Sequence, residues 1–128
     1  VITTATQPVL TGDLVEDGVH INAAGANSWQ KRELDIRAVV RASVIAADDV
    51  NQAKIECADL MYPVDAGRLT WDQVRPLSHI VSGQTPARDV ASDVTLFESQ
   101  GVALEDIAVA DYVYQRAVEQ GVGTAIGG

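Results

Sequence analysis

The spacing of apolar positions changes several times along the chain, and each change marks an element. Val1 to Thr4 is a β-branched run ended by the turn-prone Gln7-Pro8, which predicts a short strand. Thr11-Gly-Asp-Leu14 predicts a brief capped helical turn, broken at Glu16-Asp-Gly18. Gly18 to Ala24 is small and mostly apolar, as in a strand covered on both faces. Lys31 to Ala42 places Leu34, Ala38 and Arg41 or Ala42 at helical spacing. Ser43 to Ala47 is a further strand, and Asp48-Asp49 leads into a helix through about Leu60. Ala53, Ile55, Cys57 and Ala58 are the core candidates of that helix. Strand, helix, strand and helix joined by short connections predict a parallel sheet in an α/β fold.

After Met61 the pattern loosens. Pro63 to Arg68 reads as loop, and Thr70-Trp-Asp-Gln73 as a capping box opening a short helix. His79 to Gly83 reads as loop or strand edge before a second loop, Gln84 to Arg88. Asp93 to Ser99 alternates as a strand does. Gly101 then opens the longest helix, through about Gln120. Its Ala103, Ile107, Ala110, Tyr114, Ala117 and Val118 share one arc, whose small residues suit close approach of another helix. Gly121, Gly123, Gly127 and Gly128 predict its end and a flexible tail.

Composition narrows the function classes. The 128 residues suffice for one domain with a real core, and 47% hydrophobic against 21% charged is a globular profile. With 18 acidic and 9 basic side chains the net charge is −9, which argues against nucleic acid and anionic membrane as partners. A single cysteine excludes an intrachain disulfide and makes the cytoplasm the expected compartment.

Candidate chemistry is sparse. Gly25-Ala-Asn27 reads either as a ligand loop at a strand's carboxyl end or as a strand-to-helix turn capped by Asn27 or Ser28. His20 and His79 have no second ligand at metal spacing, so no metal is expected. Cys57 reads as a small core residue, and Asp48-Asp49 as charge and cap for the following helix. No catalytic residue is assigned.

Three segments carry a resemblance. They are Thr4-Ala-Thr6 with Pro8-Val; His20-Ile-Asn-Ala-Ala-Gly-Ala-Asn27 with Lys31-Arg-Glu-Leu-Asp35; and Asp93-Val-Thr-Leu-Phe-Glu-Ser-Gln-Gly-Val-Ala-Leu-Glu-Asp106. In order and spacing the chain resembles the ornithine cyclodeaminase and mu-crystallin family, whose members include NAD(P)-dependent amino-acid dehydrogenases, ketimine reductases and cyclodeaminases. The resemblance implies that residues 1–128 form a single domain like the second half of a Rossmann NAD(P)-binding domain plus the C-terminal return segment. The fold class expected is therefore α/β, a truncated, half Rossmann-like parallel sheet with flanking helices and a long C-terminal helix. It also implies cofactor-facing roles for Thr4, Thr6, Gly25, Asn27, Lys31 and Ser99, with Gly101 beside the nicotinamide. Asn27 stands where the family's cyclodeaminases have a proton-exchanging aspartate. An amide is no general base, though it can hold an amine or carboxamide by hydrogen bonds.

The dinucleotide fingerprint G-x-G-x-x-G after a first strand does not occur in this sequence. NAD(P) is thus implied by resemblance alone. The expected function is a stand-alone, oligomeric binding or assembly module descended from such a protein. The alternative is one part of an NAD(P)-dependent dehydrogenase, imine reductase or cyclodeaminase. A half sheet leaves an open edge and an uncovered apolar face, so a homo-oligomer, at least a dimer, is expected, with a small molecule or nucleotide as candidate ligand.

Overall fold

The computed structural model describes residues 1–124 and 126; the predicted glycine tail at Gly127 and Gly128 lies outside them. Four strands form one sheet: β1 (His20–Ala23), β2 (Ala42–Ala47), β3 (Val74–Pro76) and β4 (Val94–Glu98). All pairings are parallel, in the order β1-β4-β2-β3. The helices are α1 (Ile36–Arg41), α2 (Val50–Glu56), α3 (Ala58–Asp65), α4 (Leu77–Val81) and α5 (Ala103–Gln120). The α/β class, the parallel half sheet and the long last helix agree with the sequence expectation.

Register explains the core. Ile21, Leu96, Ile45 and Val74 form one row across the sheet, and Ala23, Glu98 and Ala47 form the next row on the same face. The first row packs with Leu34, Ala38, Val39, Ala53 and Leu60 from the α1–α3 side. In the second row two alanines flank a buried glutamate, and their small side chains leave space for its carboxyl group.

Several elements differ from the sequence reading, each for a definable reason. Val1 to Thr4 is not a strand. Val1 alone pairs along β1, its carbonyl accepting from Ala24 N at 3.0 Å, while the Thr3 N–H turns to the Glu33 side chain. The helix predicted from Lys31 begins only at Ile36. Residues 32–35 bond instead with residues 5–10: Arg32 N donates to Ala5 O (3.0 Å), and Val9 N and Leu10 N donate to Glu33 O (2.8 and 2.9 Å). Asp35 is the cap, its Oδ1 accepting from Ala38 N at 2.7 Å and Gly12 N at 2.9 Å, so neither Asn27 nor Ser28 caps a helix.

The helix expected through Leu60 breaks at Cys57, and Ile55 is exposed rather than core. Pro63 lies inside α3 instead of in a loop; at the sixth position of an eight-residue helix it removes a single intrahelical bond. β3 escaped the sequence reading because three residues ending in proline carry little periodicity, and proline is tolerated there at the sheet edge. His79 lies in α4, not in a loop or strand edge. The brief turn at Gly12–Leu14 forms, though without the expected side-chain cap from Thr11, and the Thr70–Gln73 capping box is present; each is a single 3-10 turn.

Candidate functional site

In an open parallel sheet, ligands sit beyond the carboxyl ends of the strands. Three segments meet there. The chain leaves β1 through Ala24 and Gly25 to Asn27; residues 3–6 lie alongside; and β4 runs out through Ser99 to Gly101, with Ser99 N donating to Ala23 O at 2.9 Å. Gly25 fits only because it lacks a side chain, since a Cβ would land on the backbone of Thr3. Its amide donates to Glu33 Oε2 at 2.7 Å, and the Thr3 amide donates to Glu33 Oε1.

The six residues expected to face a cofactor are therefore neighbours in the fold, in differing states. Thr4, Thr6 and Asn27 are exposed. Lys31 Nζ donates to Asn27 Oδ1 at 2.9 Å, leaving the Asn27 amide N–H groups to face outward chemistry. Ser99 is half-buried and its hydroxyl donates to Asp48 Oδ2 at 2.9 Å. The same oxygen accepts from Gln100 N (2.9 Å) and Gly101 N (2.8 Å), where Gly101 adopts a φ of 80°. Asp48 thus pins the exit from β4, whereas Asp49 caps α2 by accepting from Asn51 N and Gln52 N. The Asp-Asp pair divides into a cap, as expected, and a loop anchor.

Beneath this surface lies a set of buried acids that sequence reasoning did not single out. Glu33, Asp59 and Glu98 have 0%, 1% and 0% of their surface exposed. Asp59 Oδ1 accepts from Glu33 N (2.9 Å) and Leu34 N (3.0 Å). Burial pushes Asp59 up to about 6, against the pull of those two N–H donors, with Glu33 adding to the rise. Burial, and then the Asp59 carboxylate, holds Glu98 well above the ordinary range. Its Oε1 has no partner among the described residues, nor has either polar atom of the Gln100 side chain. Cys57 is fully buried, with Sγ 3.5 Å from Glu98 Oε2; burial and then Glu98 raise its thiol, so it is a core residue as expected. The sequence signals for this layer were Glu33 inside the quoted Lys31–Asp35 motif and Glu98 inside the quoted Asp93–Asp106 motif.

On the sheet's other face, a shallow cavity of about 240 Å³ is lined by His20, Asn22, Val44, Leu77, Ile80 and Phe97. His20 Nδ1 meets Thr95 Oγ1 at 2.7 Å and Nε2 meets Asn22 Oδ1 at 3.1 Å. The cavity does not include the six carboxyl-end residues.

The exposed groups fit one part of a nicotinamide dinucleotide. An outward amide and an ammonium suit a carboxamide or a carboxylate. The glycine-rich turn that receives a pyrophosphate has no counterpart in the sequence, and Gly25 serves the protein's own Thr3.

Comparison with known proteins agrees with the geometry. The sequence model of the ornithine cyclodeaminase/mu-crystallin family matches residues 1–121. A Delta(1)-pyrroline-2-carboxylate reductase of Bacillus cereus is 36% identical over 97% of the chain and 38% of its own length. The Delta(1)-pyrroline-2-carboxylate reductase of Thermococcus litoralis, solved with NADH and L-proline, superposes with a TM-score of 0.89 at 33% identity, over 98% of this chain and 39% of that one. The iminosuccinate reductase of Paracoccus denitrificans, solved with NAD+, gives 0.87 at 35% identity, over 98% and 38%. The chain therefore spans somewhat over a third of the length of these relatives. Among the described residues no helix is long and apolar enough to cross a membrane.

Proposed function

The chain belongs to the ornithine cyclodeaminase/mu-crystallin family, and from that premise we propose that it supplies the nicotinamide-facing half of a cofactor site in an NAD(P)-dependent reductase or dehydrogenase of imino or amino acids. The observation that carries this reading is the convergence of residues 3–6, Gly25–Asn27 and Ser99–Gly101 at the carboxyl end of β1, with Asn27 and Lys31 paired at its surface. Relatives that superpose on this chain over nearly its whole length were solved with NADH or NAD+. Thr4, Thr6, Gly25, Asn27, Lys31 and Ser99 would border the cofactor's nicotinamide end. The bound cofactor supplies or accepts a hydride, and this chain contributes placement. None of these residues is assigned a proton-transfer role, and Asn27 has none to offer.

The test is a titration with NADH and NADPH, exciting tryptophan. Trp29 is exposed and two residues from Asn27, so a bound reduced nicotinamide would quench it by energy transfer. Saturable quenching below about 1 mM, the upper end of ordinary Michaelis constants, and relieved by the oxidised cofactor, is the expected result. Quenching no greater than the inner-filter effect would reject cofactor binding by this chain.

A second reading, an oligomeric binding or assembly module without activity of its own, is favoured by α5. Leu104, Ile107 and Val118 on that helix are 75%, 67% and 61% exposed. Light scattering across a concentration series decides it: a mass that stays at one protomer would reject it.

A further inference from the structure

We propose that Glu33 is a positioning residue, whose buried carboxylate sets the separation of the two loops that border the cofactor's nicotinamide end. This rests on the reading of the site given above. The two oxygens of the side chain accept from amides on different loops, Oε1 from Thr3 N and Oε2 from Gly25 N at 2.7 Å. Those amides immediately precede or open the segments that present Thr4 and Thr6 on one side and Asn27 on the other.

Every polar group of Glu33 is committed to this placement. Its backbone carbonyl accepts from Val9 N and Leu10 N, and its N–H donates to Asp59 Oδ1 on α3. Asp59 thus fixes the backbone from which the carboxylate reaches, and the carboxylate fixes the loops. Two acceptor oxygens against two N–H donors is a match that only a carboxylate makes among side chains of this size. Gly25 completes it, because the place of a Cβ is taken by the Thr3 backbone and Glu33 Oε1. The diversion of the Thr3 N–H also explains why the β-branched opening run fails to continue as a strand beyond Val1. The clamp trades a ladder bond along β1 for a loop aimed across the sheet end.

Glu33→Gln keeps the size of the side chain and replaces one acceptor oxygen by a donor, which then faces an N–H. Thr3→Pro removes one clamped donor from an exposed segment while leaving the core acids in place. Measured by tryptophan quenching, the dissociation constant for NADH should rise about tenfold in Glu33→Gln and severalfold in Thr3→Pro, the scale of one lost charge-assisted bond. Amide exchange should accelerate at Gly25 in both variants and stay unchanged at Ile45 and Leu96 in the sheet. A purely structural role would lower the folded fraction but leave the affinity of folded molecules where it was. Affinity within about twofold of the unaltered chain, a change too small for a lost bond of this kind, would overturn the proposal; should Glu33→Gln not fold, Thr3→Pro is judged by the same criterion. An unaltered chain that binds neither NADH nor NADPH rejects the cofactor site itself and the clamp's role with it. Failure of the clamp alone shows as variants that bind like a binding parent.

Discussion

The carboxyl end of the sheet and the C-terminal helix break the usual rule of burial in opposite directions. At the sheet end three acids are buried among alanines, a cysteine and leucines. Along α5 an apolar arc of eighteen-residue length lies in solvent, with Ala117 alone half-covered. The buried acids are mostly satisfied internally, by backbone amides of residues 3, 25, 33 and 34. The arc is unsatisfied. The first region finds most of its partners within this chain, Glu98 Oε1 and the Gln100 side chain excepted, and the other has a surface whose partner the described residues do not provide.

The largest expected effect comes from the apolar support beneath the acids. Leu96 lies fully buried between Ile21 and Ile45 in the sheet row next to Glu98. Leu96→Ala should destabilise the chain by about 3 kcal/mol in urea unfolding, within the range for buried leucines. Ile107→Ala on α5 should change it by no more than about 0.5 kcal/mol, as at exposed sites. Equal losses would mean that α5 is packed in solution and that the contrast is false.

Next comes pH. Asp59, raised to about 6, takes up its proton more readily folded than unfolded. Its stabilising contribution is therefore fully present below the unfolded value near 4 and is lost as pH rises through about 6. Glu98 acts in the same direction. Stability should rise as pH falls from 7 toward 4, by up to about 3 kcal/mol from Asp59, before repulsion and opposite-signed groups intervene. Those include Asp13 and Asp93, held low first by the Thr11 side chain and by the Val90 backbone N–H respectively; their contributions vanish as pH falls below their depressed values. Asp59→Asn retains an oxygen for the two amides that Oδ1 serves, and should flatten the rise between pH 7 and 5. An unchanged slope would place the titration elsewhere.

The same contrast explains what the sequence made legible. β1, β2, β4 and α5 were legible because each is a run of one character, small and apolar in β1 and β2, alternating in β4 and helically spaced in α5. Periodicity overran α1 because nothing local announces that residues 32–35 bond across to residues 5–10; that competition is tertiary. The acidic layer was hidden for a related reason. Glu33 and Asp59 look like ordinary surface acids until the fold places backbone donors against them, and Glu98, which alternation puts on the face of Val94 and Leu96, was passed over because a carboxylate at the end of a strand carries no sign of burial. Of the six candidate site residues, Gly25 and Asn27 stood out as a possible loop at a strand's carboxyl end, and Thr4, Thr6, Lys31 and Ser99 came from the resemblance to a family alone. Their adjacency in space is a property of the parallel sheet, since strands far apart in sequence deliver their ends to one side.

The smallest effect on the chain's own stability concerns the uncovered arc, and it sharpens the comparison most. α5 is well terminated at one end only. Gly121 adopts a left-handed φ of 63°, and Gly121 N and Val122 N close on Val118 O and Ala117 O, while Val102 offers no side-chain cap at the start. An isolated helix of this length is marginal in water, because nucleation is unfavourable and propagation gains little per residue. Its order must then depend on whatever covers Ile107, Tyr114 and Val118. If a second copy covers them, Ile107→Lys with Val118→Lys should leave the protomer's unfolding free energy in urea within about 0.5 kcal/mol of the parent yet abolish concentration-dependent association. Amide exchange along residues 107–118 should then quicken in step with dissociation, while β2 and β4 stay protected. Slow exchange in α5 at dilutions where the chain is monomeric would show that the helix is covered from within, and would erase the distinction between the two regions.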